Sequence, residues 1–354
     1  MDDTRRAFLD DLLSLSTPSG FETDGQRRWL EHVEPYADET RVDAYGNAVA
    51  VYEGAEDAPA VAFAGHGDEI GLMVRAITDE GFLKLSPIGG SDRTVTRGQH
   101  VLVHTDEGPI DGVIGQVAIH LRDPSKDEYD EINEQHVDIG VEDGDTAREL
   151  VDVGDPVTFN TEIVDLTADR ISARGVDNRI GIWTAAEAFR RAVETEPETT
   201  IYAVSTVQEE IGFKGAQMVG FDLDPDAVVA IDVTHATDHP DSPGDQGSDV
   251  DLGGGPVIAR GSSNHPALVS ALRRAAEESE IDVQLSAAGT RTGTDADAFY
   301  TSRGGIPALS LGIPNRYMHT PVEIVDLDDL ESAADLLSEV AVRAEELGPF
   351  VTDL

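Results

Sequence analysis

The chain has no cysteine, only 5% aromatic residues, and just three lysines (Lys84, Lys126 and Lys214) among its 25 basic residues. Without cysteine there is no disulfide, thiolate ligand or thiol nucleophile, so any metal site must use histidine and carboxylates. Without a basic stripe there is nothing to neutralise phosphates, which argues against nucleic acid as a partner. No apolar run approaches the length of a membrane-spanning helix. The opening MDDTRRAFLDDLLSL is acidic where a secretory signal needs a basic start and an unbroken apolar run. The expectation is a cytoplasmic protein with no membrane partner.

Acid is what the chain has in excess. Seventy Asp and Glu stand against 25 Lys and Arg, for a formal net charge of -45. A basic protein partner is one explanation. Adaptation to concentrated salt is the other, since a Debye length of about 3 Å at 1 M screens such self-repulsion. The acids are spread along the chain rather than gathered in a tail, which favours the halophile reading.

A length of 354 residues exceeds the usual single domain. Helical spacing is expected over residues 4–15 and 22–35, then strands near 41–52 and 60–64. From about 72 to 165 short β-like pieces (82–85, 99–104, 112–120, 156–160) alternate with Gly, Asp and Pro turns, as in a small barrel or sandwich. After residue 170 helices (178–194, 265–279, 326–346) alternate with strands (200–207, 227–233, 281–287, 306–311). The fold class expected is α/β: a mixed, mostly parallel sheet with helices on both faces, plus an inserted small β-barrel or sandwich. Residues 1–71 and 166–354 form the main domain, and 72–165 the insertion.

Several polar residues stand at the ends of apolar runs. His66 follows the run 60–64, and Asp68 two residues on could fix its imidazole; a turn histidine that only hydrogen-bonds is the plainer alternative. Asp177 opens a helix and could be its N-cap or a ligand. Glu209 and Glu210 end the strand 200–207, where side-by-side buried carboxylates are costly unless a cation compensates them; solvation of both is the alternative. Asp232 lies inside an apolar strand and could be a ligand or a structural carboxylate. His319 sits in a loop after the strand 306–311. Glu323 could orient a loop or cap the helix starting near 326. Of the remaining histidines, His235 and His239 are the exceptions to a structural reading. Two histidines and several carboxylates at strand ends suit a pair of divalent ions, and the N/O donor set fits zinc or a similar first-row ion.

At these positions the chain resembles the M42 metallo-aminopeptidases, which include the tetrahedral TET peptidases. The matching stretches are GHGDEIGLMV (65–74), ARGVDNRIG (173–181), STVQEEIGFKGA (205–216), AIDVTH (230–235) and GTDADAFYTSRGGIPALSLGIPNRYMHTPVEIVDL (293–327). GVIG (112–115), HVDIGV (136–141) and VGDPVTF (153–159) resemble that family's insertion domain. The resemblance implies two zinc or cobalt ions bridged by Asp177, with Glu210 and His319 completing one site and His66 and Asp232 the other. It implies Asp68 as the group that holds His66 and Glu209 as general base. It also implies removal of residues from peptides with an exposed N-terminus, and a homo-oligomer of dimers joined partly through the insertion, up to a tetrahedral dodecamer. Gly67 and Val176 depart mildly from the family's pattern without removing a ligand. Two other classes compete: a carbohydrate hydrolase using Glu209 and a second carboxylate without metal, and a non-catalytic assembly protein on the same fold.

Overall fold

Alternation along buried strands sets the middle of the fold. In the strand Ala60–His66, Val61 and Phe63 pack to one side and Ala62 and Ala64 to the other. A strand buried on both faces needs cover on both faces. In a computed structural model, which describes residues 1–122, 129–240, 242 and 249–354, that cover is helical. Helices Asp3–Ser14, Thr23–Val33, Val176–Val193, Pro266–Glu278 and Leu327–Val342 bury their apolar residues on the Val61 side. Helices Lys214–Asp222 and Ala296–Phe299 cover the Ala62 side.

The sheet has eight strands in the order Glu39–Val42, Ala48–Tyr52, Thr200–Thr206, Ala60–His66, Ala227–His235, Ala308–Asn315, Val257–Arg260 and Gln284–Ala287. The third to sixth run parallel, with antiparallel pairings on either side of them. This is the mixed, mostly parallel sheet expected, and the carboxyl ends of the parallel strands share one edge. Ligands bind at that edge of open α/β sheets.

Of the two forms expected for the β-rich stretch, a closed barrel is found. Its strands are Gly71–Ile77, Leu83–Ile88, His136–Asp138, Gly108–Ile114, His100–Thr105 and Pro156–Phe159. Leu72, Val74, Leu85, Val101, Val103 and Val157 fill it, so it is a packed core rather than a channel. A separate three-stranded sheet, Val164–Asp165, Arg170–Ala173 and Glu323–Asp326, carries the chain into the long helix Val176–Val193.

Some local expectations differ. The strand expected over 112–120 ends at Ile114, and a short helix, Gly144–Leu150, lies in the β-rich stretch. The helix expected over 326–346 breaks after Val342. Among the described residues no helix is long and apolar enough to cross a membrane.

Candidate metal centre

The parallel strands deliver the candidate residues to one place. His66 is the last residue of its strand rather than lying beyond it, and Asp232 lies near the end of Ala227–His235. Glu209 and Glu210 follow Thr200–Thr206, and His319 follows Ala308–Asn315. Asp177 is not the helix cap: its backbone and that of Asn178 are non-helical, and Asn178 Oδ1 accepts from the Gly181 amide at 3.1 Å where the regular helix begins. Gly175, just before them, stands at φ 62°. A side chain at Gly175 would also collide with the buried Arg179 guanidinium, so both backbone and space demand glycine there.

Asp177 is the hub of the cluster. Its Oδ1 lies 3.4 Å from His66 Nε2 and its Oδ2 lies 3.3 Å from His319 Nε2. Asp232 Oδ1 approaches His66 Nε2 at 3.6 Å, and Glu210 Oε1 approaches His319 Nε2 at 3.6 Å. The donors therefore fall into two halves, His66 with Asp232 and His319 with Glu210, and each half faces its own oxygen of Asp177. Glu209 Oε2 stands beside the first half, 3.9 Å from His66 Nε2. Ligand atoms of His66, Glu209 and Asp232, and likewise of His66, Asp177 and Glu210, come within 4.8 Å of one another.

The second nitrogen of each imidazole fixes its aim. His66 Nδ1 lies 3.2 Å from the Asp68 carbonyl and 3.3 Å from Asp68 Oδ1. Asp68 Oδ1 also accepts from the Glu209 amide at 3.0 Å, and Oδ2 from the Glu210 amide at 3.2 Å. One buried carboxylate thus ties His66 to the acid pair. His319 Nδ1 donates to the Gly90 carbonyl at 3.1 Å, a contact from the barrel side that a Cβ on Gly90 would block. Glu323 accepts from the amides of Asp177 and His319, at 3.2 and 3.0 Å. Of its two expected roles it therefore takes the loop-orienting one, and Asp326 caps the last long helix.

Acid outweighs base here. Burial pushes the Glu209 carboxyl up to about 10, with Asp232, Asp295 and Glu210 adding to the effect. Burial and then Asp177 push Glu210 up to about 8. Burial presses the His66 imidazole down, yet Glu209, Asp177 and Asp232 together hold it well above its ordinary value. The bond to Asp177 lifts His319 to about 9. Burial alone would raise Asp177, but its bonds to His319 and His66 outweigh that and hold it well below the usual carboxylate range. Two imidazoles do not balance this many buried carboxyls, and divalent cations would. The donor set of imidazole nitrogen and carboxylate oxygen fits zinc or cobalt.

Part of the support lies outside local sequence pattern. Glu69 is fully buried between Arg174 and Arg179, and its carboxyl is held at about 2 because the two guanidiniums outweigh the cost of burial. This ion network clamps the segment that carries Asp177 to the turn at Thr17. The opposite charges stand in two of the motifs quoted above, which was the available signal. Asp295, in the GTDADAF stretch, accepts from Thr206 Oγ1 at 2.5 Å beneath the site. Gly67, one of the two departures, lies over Ser205 and Gln26, where a Cβ would come within 3.0 Å of Ser205 Oγ.

The cluster opens into a cavity of about 1190 Å³, also lined by His235, His239, Arg291 and Tyr317. The two exceptional histidines therefore border the site, though neither belongs to the ligand groups found among the described residues. His32, read as structural, stacks on Phe8 with ring centres 3.6 Å apart.

The family model for the M42 glutamyl aminopeptidases matches residues 46–336. The lysyl aminopeptidase of Pyrococcus furiosus is 35% identical over 336 residues, covering 94% of each chain. The TET aminopeptidase of a marine sediment archaeon of the Thaumarchaeota superposes with a TM-score of 0.91 at 32% identity, over 98% of this chain and 100% of the other. The Pyrococcus horikoshii TET1 peptidase, described as able to assemble into a tetrahedron or a large octahedral shell, gives 0.84 at 32% identity, over 95% and 99%. Matched over most of its length by family model, sequence and fold alike, the chain belongs to the M42 family of aminopeptidases.

Proposed function

We propose that the chain is a dinuclear metal-dependent aminopeptidase. The observation that carries this reading is Asp177 facing a histidine with each of its oxygens, which divides the donors into two halves around one shared carboxylate. His66 and Asp232 would hold one ion, Glu210 and His319 the other, with Asp177 the carboxylate shared between them. Two zinc or cobalt ions, when bound there, supply Lewis acidity that polarises the scissile carbonyl and acidifies water. Glu209 takes the proton from the attacking water and passes it to the departing amine. Asp68 holds His66 and the backbone of Glu209 in register. Beyond the cluster no described residue lining the cavity is acidic, and Arg291 is present, which supports a neutral or acidic N-terminal side chain over a basic one.

Amino-acid p-nitroanilides test this reading. Leucine p-nitroanilide should be hydrolysed, lysine p-nitroanilide more slowly, and N-acetyl-leucine p-nitroanilide not at all. Equal cleavage of the acetylated compound would overturn the exopeptidase assignment. The dispersed charge of -45 supports adaptation to high salt. On that reading, activity and melting temperature rise between 0.1 M and molar KCl, and a fall in both would contradict it.

The same proposal divides the chain into a catalytic unit, 1–71 with 166–354, and an insertion, 72–165, that joins subunits into dimers and then a larger homo-oligomer. The exposure of Ile119 and Leu121, at 71% and 79%, on the segment leaving the barrel supports a covered face there. Light scattering that returns only a 37.8 kDa species would refute the assembly.

A further inference from the structure

Four consecutive backbone amides lead into the acid pair, and each is given to a side chain from elsewhere in the chain. Val207 donates to Asn47 Oδ1 at 3.0 Å and Gln208 to Glu22 Oε1 at 3.1 Å. Glu209 and Glu210 donate to the two oxygens of Asp68. Gln208 itself stands at φ 57°, in the left-handed region that non-glycine residues seldom adopt. Such a conformation persists only where its surroundings over-determine it.

The Gln208 carbonyl accepts from the Lys214 amide at 3.2 Å, and the hold on its own amide comes from the turn between the first two helices. Glu22 is 5% exposed, and its Oε1 also accepts from the Gly20 amide at 2.7 Å. Three residues earlier, Ser19 Oγ donates to Asp68 Oδ2 at 2.6 Å. The turn 17–22 therefore reaches both groups that hold the backbone of residues 208–210. Glu22 is not among the residues lining the cavity, so it acts on the chemistry indirectly, and its one bond to the strand end that carries the acid pair is to the Gln208 amide.

We propose that Glu22 is a positioning residue for Glu209: it holds the left-handed Gln208 and so sets the direction in which the base leaves the strand. This rests on Glu209 being the base. Gln208 is the hinge residue immediately before Glu209. With its amide released, the backbone can relax toward ordinary φ and swing the carboxylate away from the attacking water. A displacement of about 1 Å at a reacting group can cost about 100-fold in rate. Substrate binding, which uses the cavity walls, should be spared.

Kinetics of zinc-loaded variants on leucine p-nitroanilide test the proposal. Glu22→Ala should lower kcat by about 10- to 100-fold, leaving KM within about twofold and bound zinc near the parent's. Glu22→Gln, whose amide oxygen can still accept both N–H groups, should recover most of that loss. Glu22→Asp keeps the charge but is one methylene short, so its kcat should also fall, and it decides the matter if the alanine variant does not fold. Parent-like kcat in Glu22→Asp overturns the proposal. So does a loss that appears equally in KM or bound zinc, or one that Gln does not relieve. The two readings fail separately. Full turnover by Glu209→Gln removes the base assignment whatever the Glu22 variants do. An inactive Glu209→Gln beside parent-like Glu22 variants removes only the positioning role.

Discussion

Glu209→Gln is expected to lower kcat on leucine p-nitroanilide by about 10²–10⁴-fold, the usual contribution of a general base, with KM and bound metal unchanged. Glu209 stands 3.9 Å from His66 Nε2, beside the first half of the cluster, while the two carboxylates that complete the halves with Asp177 are Asp232 and Glu210. Removing its proton acceptor should therefore spare the ion sites. The amide has nearly the same shape, and the backbone bond to Asp68 is kept, so the fold has no reason to change. Electrostatics would give bound ions a second task. Without them burial pushes the Glu209 carboxyl up to about 10, and at neutral pH it would keep its proton. Positive charge bound in the neighbouring half would favour the carboxylate and so let Glu209 serve as the proposed base. Full turnover in Glu209→Gln, with metal bound, would show that another group moves the proton.

Asp177→Asn should weaken both ions together. Asn offers one oxygen where Asp177 offers two, and it removes the negative charge between the halves. Losing only an outer-shell partner of a metal ligand costs roughly 10–100-fold in affinity, and loss of a shared ligand should exceed that at each ion. Asp232→Asn and Glu210→Gln each touch one half and should weaken one ion more than the other. If Asp177→Asn weakened only one ion, the carboxylate would be an ordinary ligand and not a bridge.

The parts legible in the sequence were those with a local pattern. Apolar runs ending in a charged group exposed His66, the Glu209–Glu210 pair and Asp232, because a buried strand end seldom carries charge without reason. Asp177 was ambiguous by pattern, since a helix-opening Asp is commonly a cap, and His319 was one histidine in a loop. Resemblance placed both. Glu22 and Glu69 had no local signal, because their partners lie far away in sequence: 186 residues separate Glu22 from Gln208, and 105 separate Glu69 from Arg174. The helix Lys214–Asp222 likewise has little local signal. It is short, contains two glycines, and starts from a left-handed Phe213, so neither propensity nor a standard cap announces it.

Counting zinc bound to metal-stripped protein after equilibrium dialysis, for the parent and Asp177→Asn side by side, bears most directly on the shared-carboxylate centre. The parent should take up two ions per chain and regain hydrolysis of leucine p-nitroanilide with them, and Asp177→Asn should hold less than one under the same conditions. A stripped parent that still turns over, or an Asp177→Asn chain that keeps two ions, would contradict a dinuclear centre bridged by Asp177.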